Sequence, residues 1–439
     1  MQPLFFKTSA NNQMNYLKPA KYLLLIPALV LLTAAPGHAQ VNISGDFQAR
    51  WTHSWSVDAL DERGELNYLR YLGRIRVAAP VSNRVSFQSE FTTFTEPNPL
   101  SPVRGIAGTG NMHYGISQLF VQSASTSVPL FDVARLRVGR QPFPIGSGLS
   151  QGASSYFVNL FDGVRVDLSA LGLTLSMMSA ITDKDLSPGG YFPLEGGDHL
   201  HVARLSTDLA NQHLMSYFIY NRIDGMYNDS YIIGAGGRGS FISSELDYFW
   251  EVAHQTFNTA PGLPEMGGYG AMGGIGYRWQ MGPFRWFKIE GRYSAYQGND
   301  PDSDRVERFS PQFPSFFWGD RSGYVNAVIG GNWPRDGRLR EGGVQNFYGR
   351  AYVVPNFAPR FRLQFQYIHA REFFDADEYN PYDDEFSIRL FYTLSQSNRF
   401  QLRYVRTIPN EEDFGEQRVT SLNDRFLRNR FMLGWRVRF

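Results

Sequence analysis

The sequence predicts an all-β protein: a transmembrane antiparallel β-barrel of 18 strands behind a cleaved signal peptide. Three observations predict it. Apolar and polar residues alternate with a period of two from Val41 to Phe439, and no later stretch keeps a helical pattern. The non-apolar face is rich in arginine, which a soluble core could not hide on so many strands. A membrane barrel can, because lipid takes one face and a water-filled lumen the other. The connections alternate short and long, as periplasmic turns and outer loops do in such barrels.

Composition removes the competing classes. Mean hydropathy of −0.32 excludes a bundle of membrane helices. A net charge of +1 gives no bulk grip on nucleic acid, so no such partner is expected. The absence of cysteine excludes a disulfide framework, thiolate metal sites and a cysteine nucleophile. Arginine outnumbers lysine 37 to 5.

Lys18 and Lys21 precede an apolar run from Tyr22 to Leu32, and Thr33 to Ala39 follow with small residues at −3 and −1. This is the pattern of a secretory signal cleaved after Ala39, and too short for a spanning helix of roughly 20 apolar residues. Residues 1–39 are therefore read as the signal, with Met14 as an alternative start, and 40–439 as one barrel domain. The mature chain is slightly acidic once Lys7, Lys18 and Lys21 are removed. The first strand begins almost at the cleavage site, so no plug domain is expected. The expected location is the outer membrane of a Gram-negative-type bacterium.

The strands fall at roughly 41–51, 66–79, 83–95, 113–123, 133–142, 159–168, 171–181, 198–209, 213–222, 229–240, 243–256, 268–281, 284–296, 344–354, 360–371, 383–394, 398–408 and 426–439. The last shows the logic best. Leu427, Phe431, Leu433, Trp435, Val437 and Phe439 share one parity, and Arg428, Arg430, Arg436 and Arg438 the other. Applied in order, the rule points Asp46 and Arg50 inward from the first strand and Arg70, Arg74 and Arg76 from the second. Glu90 follows from the third, then Arg135 and Arg137, then Arg165 and Asp167. Glu245, Asp247 and Glu251 share one strand; Lys288, Glu290 and Arg292 another. Arg350, Arg362, Glu385, Arg389, Arg399 and Arg403 complete the set. Cations outnumber acids on this parity. Aromatic residues suit the interfacial girdles and glycine suits a strongly curved sheet.

An electropositive lumen in a slightly acidic chain selects anions, since guanidinium groups pair bidentately with carboxylates and phosphates. The alternative is a wall network in which each arginine only neutralises a neighbouring acid. The balancing acids lie in outer loops such as Asp300 to Asp304 and Asp375 to Glu378.

Leu136-Arg137-Val138-Gly139-Arg140-Gln141-Pro142-Phe143, then Gly146 to Gly152, then Phe161-Asp162-Gly163-Val164-Arg165 resemble the hallmark of the alginate-export outer-membrane family. The resemblance implies an 18-stranded barrel whose arginine-rich constriction passes polyuronate, and periplasmic polymer-export partners. It would place Arg140, Asp162 and Arg165 in the constriction, with Arg74 and Arg137 nearby. By strict alternation Arg140 faces lipid, so that role requires a bulge near Pro142 or a place at the rim. The segment 297–343, with Phe313 to Trp318, either covers the mouth or is an ordinary surface loop.

Other signals are weaker. Gly268, Gly270 and Gly273 fit a dinucleotide pattern but lack the strand–turn–helix setting, so close packing is expected. Asp300, Asp302 and Asp304 have calcium-loop spacing, yet Arg305 stands where glycine is required. His199 and His201 share a face without a third ligand. Glu245, Asp247 and Glu251 could do acid–base work, but partnering lumenal arginine is the better reading.

The expected function is a passive channel for anionic polysaccharide such as alginate, or for other anionic solutes. The expected pore-lining residues are Arg74, Arg76, Arg135, Arg137, Arg140, Asp162, Arg165, Arg292, Arg362, Arg389, Arg403 and Arg436. The alternative is an uptake porin for small anions or oligosaccharides. A lipid-acting barrel enzyme is a third reading, which lacks any Ser/His/acid constellation. No cofactor is expected. Outer-membrane lipid and lipopolysaccharide should surround a monomer.

Overall fold

The computed structural model describes residues 41–55, 65–95, 112–146, 149, 160–182, 198–222, 227–241, 245–259, 266–298, 300, 303, 306–307, 309, 343–371, 384–408 and 429–439. The expected signal and most of the segment 297–343 lie outside the described residues.

Eighteen antiparallel strands form one closed wall. They are β1 Asn42–Trp55, β2 Glu65–Ser82, β3 Val85–Thr95, β4 Met112–Ser123, β5 Phe131–Pro142 and β6 Leu160–Ala170. Next come β7 Leu173–Thr182, β8 Asp198–Leu209, β9 Gln212–Arg222, β10 Tyr227–Phe241, β11 Leu246–Thr259 and β12 Met266–Met281. The last are β13 Phe284–Gln297, β14 Gly343–Pro355, β15 Phe361–Arg371, β16 Asp384–Thr393, β17 Asn398–Ile408 and β18 Asn429–Arg438. Two short pieces add no wall strand. Thr126–Val128 prolongs the β4 side against β5, and Val306–Glu307 lies parallel to the start of β12.

Each strand pairs with its neighbours in sequence, and β1 pairs with β18 to close the circle, Asp46 opposite Arg438 and Trp55 opposite Asn429. Gly45 and Phe439 add two backbone hydrogen bonds at the seam, of 2.8 and 3.1 Å. A Cβ on Gly45 would lie 2.5 Å from the Phe439 ring, so the seam needs glycine there. Closure removes every sheet edge, which a membrane demands because lipid offers no hydrogen bonds.

Connections at one end are tight, such as Leu171-Gly172, with φ of 54° and 77° matching a two-residue hairpin. This is the periplasmic end. The long connections define the external end.

The alternation sets the faces. On β18, Leu433 and Trp435 are 49% and 43% exposed while Met432, on the opposite parity, is 7%. On β16, Glu385, Ser387, Arg389 and Phe391 are buried and alternate with Phe386, Ile388, Leu390 and Tyr392. The apolar set of these strands points out to lipid.

From β7 to β12 the inward face carries an apolar cluster as well, among buried polar residues such as Ser176, Glu251 and Gln255. Met178, Ala180, Leu200, Val202, Met215, Tyr217, Ile219, Ile232, Ala253 and Met272 form a buried cluster inside the barrel. Phe143, Ile145 and Leu149, at 1%, 0% and 0% exposure, cap it. The chain after β5 therefore folds into the lumen rather than out over the surface. Burying each such side chain contributes about 1.5–3 kcal/mol, enough to hold the segment without a regular element. Gly146, at φ 52°, lets the chain turn there; a Cβ would meet Met215 Cε at 1.9 Å.

Among the described residues Gly139 is the one strand-interior glycine with positive φ, 121°, and its Cβ position lies 2.3 Å from the Leu119 carbonyl oxygen. Gly139→Ala is expected to destabilise the barrel by about 2 kcal/mol or more, because strained φ and a backbone clash coincide. Gly172→Ala, also at positive φ but with nothing within 4 Å of its Cβ position, should cost less. Denaturant midpoints of the folded, heat-modifiable band check the order of the two.

Candidate functional site

The lumen has two unlike walls. One runs from β14 through β18 and β1 to β3 and is built of arginine. Arg389 and Arg403 stand directly opposite each other on β16 and β17, 1% and 2% exposed, and Arg403 bonds Glu385 at 3.1 Å. Arg399 and Arg436 stand opposite each other on β17 and β18, and Arg436 pairs with Asp46. Arg362 and Arg399 lie on the Phe391 ring, 4.3 and 4.0 Å from its centroid, a stack that fixes both guanidinium planes. Arg76 pairs with Glu90, and Arg74 shares the inward parity of β2 beside Asp46.

A network bridges the walls on β11, β13 and β14. Lys288 Nζ reaches Asp247 at 3.0 Å and Glu290 at 2.8 Å, while Arg292 and Arg350 approach Glu290 at 3.2 and 3.5 Å. Glu290 thus serves three cations. Glu251, fully buried, accepts a hydrogen bond from Tyr217 Oη at 2.9 Å. Asp247 and Glu251 have Lys288 and Tyr217 among their partners.

The other wall is the apolar cluster with the inward segment, fringed by three arginines. Arg137 and Arg165 are directly opposite on β5 and β6. Arg165 bonds Asp167 at 2.8 Å and lies 4.6 Å from the Phe143 centroid. Arg204 lies 5.6 Å from the same ring, donates to the Pro144 carbonyl at 3.4 Å and to Ser176 Oγ at 3.2 Å. Phe143 thereby ties the segment to two cations. Arg135 is inward nearer the periplasmic end and bonds Ser125 Oγ at 2.7 Å.

Two expected pore residues are elsewhere. Arg140 and Asp162 face each other across β5 and β6 on the outward parity, with Leu119 and Ile181 as neighbours in register. Arg140 Nε donates to Asp162 Oδ1 at 2.9 Å, and Nη2 to Asp162 Oδ2 in a two-point pair. Gly139 strains the chain locally but shifts no register, so parity carries Arg140 outward. Its place near the strand end and its full pairing make a charge on that face tolerable. The constriction implied by the family resemblance therefore loses these two members.

Sequence reasoning missed three inward cations, Arg204, Arg238 and Arg278, the last opposite Lys288 of β13. Their strands carry apolar residues on both faces, so alternation gave no sign of which face was lumenal. The signal lay in the neighbours: Arg204 shares parity with Ser206, and Arg238 stands opposite His213. His199 and His201 face outward. Among the described residues no group of three or more His, Cys, Asp or Glu could hold a metal ion. Gly270 receives the Phe309 ring, 2.5 Å from its Cβ position. The start of the segment 297–343 is thus folded against β12; Asp302, Asp304 and Phe313 to Trp318 lie outside the described residues.

No family model matches the chain, and no curated protein matches it. Solved structures do. OccK5 (OpdH) of Pseudomonas aeruginosa matches with TM-score 0.53 and 11% identity, over 91% of this chain and 98% of that one. OccAB3 of Acinetobacter baumannii matches with TM-score 0.57 and 10% identity, over 91% and 99%. The Pseudomonas aeruginosa outer-membrane protein OpdK, solved with vanillate, matches with TM-score 0.57 and 10% identity, over 91% and 98%. At such identity the likeness shows the fold, and the fold is the 18-stranded barrel of outer-membrane proteins.

Proposed function

We propose that the chain is an outer-membrane porin that passes small organic anions, carboxylates above all, by diffusion along its arginine wall. One observation carries this. Arg399–Arg436 and Arg137–Arg165 are like charges directly opposite each other on the lumenal face, and neither pair is fully buried. Such pairs destabilise a sheet, and a wall built only for strength would alternate its signs. An anion between two guanidinium groups relieves the repulsion, and many such sites of modest strength let a solute enter and leave. OpdK with vanillate, an aromatic carboxylate, supports this class of cargo.

A second reading is passage of a polyuronate such as alginate, favoured by the motif spanning residues 136–143 and 161–165. It would bring periplasmic export proteins as partners. In both readings the barrel works as a monomer in a lipopolysaccharide-bearing membrane.

Reversal potentials in planar bilayers under a KCl gradient are expected to show anion preference. Vanillate added to one side should reduce single-channel current at lower concentration than its neutral methyl ester. Cation preference would sink both readings. Block by polyuronate but not by vanillate would favour the second.

A further inference from the structure

The lipid-facing surface of β6 to β9 is not smooth. Ser179 and Ala203 are small residues on neighbouring strands, and Val164, Val166, Met177 and Phe218 stand around them. The result is a groove of about 360 Å³ on the outside of the barrel. One step toward the external end, His199 and Arg222 stand directly opposite each other across β8 and β9, and both are exposed. Of the acids on either side, Asp162 is paired with Arg140, and Asp229, directly opposite Arg222 on β10, accepts from the Tyr220 hydroxyl at 3.2 Å. Arg222 has no ion pair among the described residues. His201 lies between groove and rim, its ring stacked on Tyr220 at 5.7 Å.

We propose that this is a docking site for a phosphate-bearing lipid of the external leaflet. Its phosphate is held by Arg222 and His199, and one acyl chain lies over Ser179 and Ala203. The order of the parts matches such a molecule. The donors are at the external end, where the headgroup sits, and the apolar groove runs toward the bilayer centre. A guanidinium beside an imidazole gives charge-assisted hydrogen bonds to phosphate oxygens, in partly desolvated surroundings where they are strong. The groove is continuous with the outward apolar belt, so the acyl chain never leaves lipid to reach it. The site is independent of which anion the lumen carries.

Native mass spectrometry of the full-chain barrel in detergent, titrated with lipid A, tests this. One retained lipid is expected, with about tenfold weaker retention in Arg222→Gln combined with His199→Gln, the cost of roughly one charge-assisted contact. Ala203→Phe, which fills the groove without touching the donors, should weaken retention similarly. Arg371→Gln, on the far external rim, should leave it unchanged. Equal retention in all variants would overturn the site, as would equal loss in Arg371→Gln, which would mean an unspecific lipid shell. Full displacement by inorganic phosphate, with Ala203→Phe behaving as wild type, would also overturn it by showing an anion site that takes no acyl chain. Heat-modifiable mobility confirms that each variant is folded, and none of these positions faces the lumen.

Discussion

Replacing Arg362 and Arg399 together by Glu is expected to abolish anion preference and turn the channel toward cations. Both guanidinium groups lie on the Phe391 ring and project into the lumen. Each substitution changes the local charge by two, and an ion passing within the screening length of about 8–10 Å feels that change. Two charges at such a distance alter an ion's energy by about 1 kcal/mol even at the dielectric of water, and by more beside a protein wall. The permeability ratio should therefore move by roughly tenfold or more, since anion and cation shift in opposite directions. The backbone ladder of β15 to β17 does not depend on these side chains. Arg362→Gln with Arg399→Gln should give an intermediate ratio. An unchanged reversal potential in the double Glu variant, with the barrel folded, would show that the permeating ions take a path away from this wall.

The second large effect concerns the inward segment. Phe143→Ala, Ile145→Ala and Leu149→Ala combined should free it from the lumen and raise single-channel conductance severalfold. Each truncation removes a side chain that is 1% exposed or less, and such losses cost about 2–5 kcal/mol apiece in a packed core. The wall itself does not depend on these contacts, because its hydrogen bonds run strand to strand. The barrel should therefore still fold while the segment lets go. Anion preference should weaken too, since Arg165 and Arg204 lose the ring that fixes them, and Arg204 loses the Pro144 carbonyl. Conductance equal to wild type would place the conducting path clear of the segment. Phe143→Ala alone separates the two effects: it should loosen the arginines while Ile145 and Leu149 keep the segment in place.

The barrel was legible in the amino-acid sequence because a membrane wall repeats one constraint along the whole chain. A side chain on a strand has two directions, lipid and lumen, and Leu433, Trp435, Arg436 and Arg438 record that choice with no knowledge of their neighbours. Strand number and the alternation of short and long connections follow from the same count. The same rule assigns most arginines of β14 to β18 and β1 to β3 to one parity, opposite the apolar set.

What the chain does inside the barrel could not be read so, because a two-way rule assumes that the second direction is water. From β7 to β12 it is not: Leu200, Val202, Met215 and Ile232 face a core made by residues far away in sequence. Only the tertiary structure brings Phe143, Ile145 and Leu149 to that face, and with it the narrowing of the lumen and the setting of Arg165 and Arg204. The same holds for Arg140 and Asp162. A motif names their types and spacing, but register decides that they meet each other on the lipid side. Local alternation is dictated residue by residue, whereas the contents of an enclosed space depend on contacts that close only when the circle does.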